Sequence, residues 1–292
     1  MPPLFRRAAI LGLGLMGGSL GLALHAHGAA ETVAGYDALA GRAEQARERG
    51  AIDVAAASPG EAVRAADLVV LAAPVGATRD LLAASVPALA PHALVTDLGS
   101  TKRSVCAWAE ALLPDPGCFV GGHPMAGREQ SGIEAAVADL FAGAVWCLTP
   151  TPATDPAALT RAEALVQTLG ARPLVLAPDR HDTLVAAISH LPMVAAVTLV
   201  ETVAADPTWP EAAPLAAGGF RDTTRVASGS SAMARDICLT NGPAILAWLD
   251  AYQDELSRLR AAIVAGDAEA IEHVFAQARA AREAWLNSRG KG

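Results

Sequence analysis

The chain has 292 residues, 52% of them hydrophobic and 18% charged, with a formal net charge of −8. That length and apolar content allow two domains with well-filled cores, and with aromatics at 4% the filling falls to Ala, Leu and Val. The acidic balance, without a long basic run, argues against nucleic acid, although a local cluster of Arg can still receive a small anionic substrate. No apolar stretch reads as long enough to span a membrane. Cys106, Cys118, Cys147 and Cys238 have neither metal nor redox spacing. No metal is therefore expected, and scattered, buried thiols fit a reducing cytoplasm. Arg6 and Arg7 precede an apolar run broken by glycines, which is not a signal peptide.

In chain order, Ala8–Leu11 reads as a buried strand. It leads into Gly12-Leu13-Gly14-Leu15-Met16-Gly17, then a helix closed by Gly28, then a second strand, Thr32–Tyr36, ending on Asp37. Strand, glycine turn, helix, strand and acid in that order form the dinucleotide-binding pattern. The first glycine permits the tight turn, the second lets backbone approach a pyrophosphate, and the third lets helix pack on strand. The free N–H groups at the helix start, around Leu15 and Met16, attract the pyrophosphate charge. Asp37, about 20 residues on, is placed for the ribose hydroxyls and against a 2′-phosphate. Ala38 and Leu39 follow it and Arg42 is the nearest cation, so NAD is expected rather than NADP. The alternative for Asp37 is to cap the helix beginning near Gly41.

A polar helix, Arg42 to Arg49, and a short one near Glu61 precede the apolar strand Asp67–Ala73, which ends at Pro74. Helix Thr78–Leu89, strand Ala93–Asp97, helix Arg103–Leu113 and the segment Cys118–Pro124 follow. Strands at 145–148 and 173–176 flank a helix over 156–169. Alternating strands and helices predict a doubly wound, Rossmann-type sheet. From Pro178 no strand-like run recurs, and segments 179–202, 233–240, 243–264 and 267–287 read as helices. The fold class is thus α/β, with a dinucleotide-binding domain over 1–177 and an all-helical domain over 178–292. No third, regulatory domain is expected.

In an open parallel sheet the ligand lies beyond the C-terminal strand ends. Pro74, the loop from Asp97 to Lys102 and His123 all fall there. A neutral imidazole at such a position can take a proton near pH 7, so His123 is the candidate general base. Ser100 is placed to hydrogen-bond substrate or nicotinamide, or to cap the helix after it. Lys102 reads as a solvated helix-start residue. In the helical part, Ser189-His190-Leu191-Pro192 interrupts an apolar helix, since Pro192 removes a backbone donor and kinks it. That suggests a site wall, with a core histidine as the equal alternative. Arg221 and Arg225, four apart after Gly218-Gly219, can fork onto carboxylates, unless Asp222 takes them as surface ion pairs.

These segments, together with Gly121-Gly122-His123-Pro124-Met125-Ala126-Gly127 and Gly219-Phe220-Arg221-Asp222-Thr223-Thr224-Arg225, resemble the prephenate/arogenate (cyclohexadienyl) dehydrogenase family, in order from about residue 8 into the C-terminal helices. The resemblance implies oxidative decarboxylation of a cyclohexadienol in tyrosine biosynthesis, with NAD accepting hydride. It implies that His123 is the catalytic histidine, with Ser100 its partner at the hydroxyl and nicotinamide. It implies that Arg225 binds substrate carboxylate, that Arg221 lies at the same mouth, and that Glu129 lines the site. Paired helical domains, hence a homodimer, are implied as well. Two departures bear on the substrate side chain. Met193 stands where many prephenate users have a second histidine, and Ala234 where many have Trp. They favour arogenate, or both substrates, over strict prephenate use. The rival readings are a hydroxy-acid or imine oxidoreductase of the same plan, which has no need of His123 with Arg225, and a non-catalytic NAD-binding protein.

Overall fold

The computed structural model describes residues 2–127 and 130–289. The first half runs β1 (Phe5–Leu11), α1 (Leu15–Ala26), β2 (Ala30–Tyr36), α2 (Arg42–Glu48), β3 (Val54–Ala55), α3 (Pro59–Val63), β4 (Leu68–Leu71), α4 (Val75–Ser85), β5 (Leu94–Asp97), α5 (Arg103–Leu112) and β6 (Phe119–Pro124). It continues with β7 (Val145–Thr149), α6 (Pro156–Thr168) and β8 (Arg172–Val175). The eight strands lie in the order β3-β2-β1-β4-β5-β6-β7-β8. Alternate residues of the apolar strands feed two cores. Ala8, Ile10, Leu68, Val70 and Leu94 pack on one face, and Ala9, Leu11, Val69, Leu71 and Val95 on the other. That two-sided burial is why these strands carry continuous apolar runs.

All neighbours pair parallel except β6 and β7, which are antiparallel. The doubly wound expectation did not include this reversal. Among the described residues, only a short 3₁₀ turn, Ile133–Ala135, lies between the two strands. A parallel crossover is usually made by an α-helix packed on the sheet, and this connection shows none among the described residues; the chain turns back instead.

After β8 come α7 (Pro178–Val185), a π-helical turn (Ala186–His190), α8 (Leu191–Ala204), α9 (Trp209–Ala212), α10 (Gly218–Thr224) and α11 (Ser231–Thr240). The expected break at Pro192 is instead a π turn just upstream. Its wider winding carries the helix past a residue that lacks an N–H. The resulting run, Pro178–Ala204, is long and apolar enough to cross a membrane by length and composition, which corrects the sequence expectation. Its first half nevertheless buries His181, Asp182 and His190, whose polar partners belong to the protein interior.

By compactness the chain divides into one unit through Gly242 and a second from Pro243. Pro178 lies inside the first unit. The second unit consists of α12 (Gly242–Ala265) and α13 (Ala268–Arg289). They are joined at Gly266, whose φ of +63° closes α12. Asp267 accepts a hydrogen bond from the Ala270 N–H at 3.0 Å and caps α13.

Candidate active site

The glycine turn is built tightly where it meets the protein and openly where it meets solvent. Gly12 has φ +106°, and a Cβ there would lie 2.7 Å from the Ala72 carbonyl carbon. A Cβ on Gly17 would fall 1.9 Å from the Gly12 oxygen. At Gly14 a Cβ would meet nothing within 4 Å, and its φ of −78° is open to any residue. The packing of the fold therefore does not require glycine at position 14. Gly14 precedes α1, whose first turn contains no acidic residue and whose N-cap makes no side-chain bond. Its N–H groups, those of Leu15, Met16 and Gly17, remain for an anion. Asp37 accepts from the Leu13 N–H at 2.7 Å and from the Leu39 N–H at 2.8 Å. It thus braces the turn and, as a carboxylate, keeps further acceptor capacity. The cap of α2 is Gly41, not Asp37. These features fit a dinucleotide. Pro74, the N-cap of α4, is exposed at the end of β4.

At the end of β5, Asp97 and Lys102 form a fully buried ion pair. Lys102 Nζ also donates to the Gly122 carbonyl at 2.8 Å, and Asp97 accepts from the N–H of Gly99 at 2.8 Å and of Gly122 at 3.0 Å. Lys102 is 0% exposed, so the solvated reading is wrong. The glycine pair of β6 explains how it fits. A Cβ on Gly122 would stand 2.5 Å from the Asp97 carbonyl oxygen, and one on Gly121 would stand 3.4 Å from Lys102 Cδ. Ser100 is half-buried and, among the described residues, makes no hydrogen bond, nor does it cap α5, which starts after Lys102. Its hydroxyl remains available to a ligand.

His123, half-buried at the end of β6, joins a network that sequence reasoning missed. Its Nδ1 lies 2.8 Å from His181 Nε2, and His181 Nδ1 lies 2.8 Å from Asp182 Oδ1. Asp182 also accepts from the backbone N–H groups of Lys102, at 2.7 Å, and Arg103, at 2.9 Å, and so caps α5 from α7. Asn241 donates from Nδ2 to the Asp182 carbonyl at 2.8 Å and contacts His190 Nδ1 at 3.2 Å. Burial opposes a charge on Asp182. The bonds from His181, Arg103 and Lys102 outweigh it and hold the carboxyl below its usual range. Burial, then the neighbouring His181, Lys102 and His190, lowers His123 well below the usual histidine range. Burial likewise pushes His190 down to about 4, against the pull of Asp182. Both are neutral imidazoles at pH 7. Since Asn241 Nδ2 can only donate, His190 Nδ1 accepts and its proton sits on Nε2. That buried Nε2 has no partner among the described residues.

The remaining candidates lie on the helical segments. Ser189 is exposed in the π turn beside His190, and Met193 is half-buried in the first turn of α8. α10 and the turn Arg225–Ser228 both pack on α8, the helix that follows Ser189 and His190. Arg221 is exposed and pairs with Asp222 at 2.8 Å, as the surface alternative foresaw. Arg225 is exposed. No described contact joins Ser100, Ser189, Arg221 or Arg225 directly to His123. Glu129 lies outside the described residues. Of the cysteines, Cys238 is exposed rather than buried.

A turn shaped for a dinucleotide and a neutral histidine at the strand ends of the same sheet define a Rossmann-type, NAD-dependent oxidoreductase. Residues 20–175 match the family model described as prephenate dehydrogenase, nucleotide-binding domain, and residues 177–277 match prephenate dehydrogenase, dimerization domain. The chain belongs to the prephenate dehydrogenase family. It is 38% identical to the prephenate dehydrogenase of Bacillus subtilis over 97% of this chain and 76% of that one. It is 35% identical to the cyclohexadienyl dehydrogenase of Zymomonas mobilis, covering 95% of both. Among solved structures it superposes on prephenate dehydrogenase from A. aeolicus in complex with hydroxyphenyl propionate and NAD+, with TM-score 0.87 and 30% identity over 95% of this chain and 97% of that one. This chain is accordingly an NAD-dependent enzyme of oxidative decarboxylation in tyrosine biosynthesis.

Proposed function

We propose that the chain oxidatively decarboxylates arogenate, alone or alongside prephenate, with His123 as general base. The observation that carries this reading is a neutral, half-buried His123 at the carboxyl end of the sheet that bears the glycine turn. Residues Gly12 to Gly17, with the start of α1, would hold the pyrophosphate of NAD, Asp37 its ribose, and Pro74 would flank it. When bound, NAD supplies the hydride acceptor. His123 takes the ring-hydroxyl proton, and Ser100 orients that hydroxyl. Arg225, with Arg221 beside it, receives the carboxylates of a dianionic substrate. Ser189 and His190 complete the wall, and the resemblance assigns Glu129 a part in substrate binding. The His190 Nε2–H is a buried donor suited to a substrate oxygen.

The substrate preference rests on Met193, whose thioether is at best a weak acceptor and cannot donate to the keto group of prephenate. One lost donor is worth about 0.5–1.5 kcal/mol, so the expected preference is modest. The test is kcat/KM for both substrates at saturating NAD, followed by NADH absorbance and released carbon dioxide. Arogenate is expected to match or exceed prephenate. A strong prephenate preference would assign the missing contact to another donor, and absence of turnover with either would remove the whole reading.

We further place the substrate domain at 178–292, in the cytoplasm, as a homodimer without nucleic-acid or membrane partners. The match to a dimerization domain and the free thiols support this reading.

A further inference from the structure

We propose that His181 and Asp182 are positioning residues that fix the tautomer of His123 and receive the positive charge it gains. The inference rests on the reading of His123 as base. Its warrant is a chain of three side chains in which each bond decides the next. Asp182 is tied by two backbone N–H groups at the start of α5 and is ionised. A carboxylate only accepts, so His181 Nδ1 carries the proton of the 2.8 Å contact. With its one proton held at Nδ1, His181 presents a lone pair at Nε2, and His123 Nδ1 donates to it across 2.8 Å in the arrangement we propose. The remaining nitrogen of His123, Nε2, is left unprotonated and is the basic atom.

In the reaction the O–H bond of the substrate's ring hydroxyl breaks and an Nε2–H bond forms on His123; the carbon bearing that hydroxyl gives up its hydride, for which bound NAD would be the acceptor, and the ring carboxylate departs as carbon dioxide. The Nδ1 proton of His123 can pass to His181 Nε2, which brings the new positive charge against Asp182. This is the logic of a carboxylate orienting a catalytic imidazole, with one imidazole interposed. The other charges facing His123 do not offer this. Lys102, from the loop after β5, is a cation already paired with Asp97, and His190, from the π turn, is neutral. Both disfavour an imidazolium at His123. Asp182 is the carboxylate that favours one, through His181.

The test combines a spectroscopic reading of the wild type with variants. In ¹⁵N-histidine-labelled enzyme, His123 should show a protonated Nδ1 and a bare Nε2, its signals assigned by their loss in His123→Asn. Single-turnover NADH formation should fall by about 10²-fold in His181→Phe and in Asp182→Asn, a loss within the range of a positioned general base, with the KM for substrate and the NAD affinity little changed. The double variant His123→Asn/His181→Phe should be no slower than His123→Asn, because His181 acts only through His123. A wild-type His123 protonated at Nε2 overturns the proposal without any variant having to fold. A His181→Phe enzyme of unchanged rate, or losses that multiply in the double variant, overturns it as well. If His123→Asn itself keeps near-normal turnover, the base assignment fails instead, and the two failures are distinguishable.

Discussion

At the scale of single residues, the site is set by which imidazoles stay neutral. His190 is 1% exposed, and burial lowers its pKa from 6.5 to about 4. Above pH 6.5 it is neutral whether the chain is folded or not. As pH falls from 6.5 toward 4, the unfolded chain takes up a proton that the folded one refuses, so stability is lost across that window. The loss amounts to about 3 kcal/mol at its acid end. Asp182, depressed rather than raised, adds its own loss only below the usual carboxylate range. Urea midpoints between pH 7 and pH 4 should therefore decline more steeply for wild type than for His190→Gln. Equal slopes would show that His190 titrates normally in the folded protein.

At the scale of elements, the glycine turn separates structural from ligand-imposed requirements. Gly17→Ala pushes a methyl into the Gly12 oxygen, 1.9 Å away. Such overpacking costs about 1–3 kcal/mol, so its Tm should drop and NAD binding should weaken with it. Gly14→Ala places a methyl in open space at an ordinary φ. Its Tm should stay at the wild-type value while its Kd for NAD rises by about tenfold or more, because the methyl occupies the approach of the pyrophosphate. A Gly14→Ala enzyme with unchanged NAD affinity would show that the dinucleotide does not pass this turn. The start of α5 offers the complementary case, since its cap comes from Asp182, in an element far along the chain.

At the scale of the whole molecule, much apolar surface of the helical segments faces outward. On α13 Phe275 is 64% exposed, and on α12 Leu246 and Ile263 are each 60% exposed. Exposed apolar area of this extent marks an interface, and the stretch through residue 277 matches a dimerization domain. A homodimer should be measured by light scattering at micromolar concentration. Ile263→Glu with Phe275→Glu should shift the mass toward the monomer. A wild type that runs as a monomer at that concentration would leave this surface without the partner assigned to it.

The sequence alone determined the parts whose physics is local. The glycine turn and Asp37 were legible because a tight turn, a helix start and a strand-end acid fall within one short βαβ unit. The strands showed as continuous apolar runs because both their faces are covered. Tertiary structure decided what depends on residues distant in the chain. Lys102 looked solvated at a helix start, yet it is buried because Asp97 and the Gly122 carbonyl neutralise it. Ser100 looked like a cap, yet Asp182 caps that helix. The antiparallel β7 followed from a connection too poor in helix to cross over. The tautomer of His123 depends on a histidine and an aspartate adjacent to each other in sequence but far from it along the chain, and no periodicity reports such a pairing. Proton placement is a property of contacts, and contacts exist only once the chain has folded.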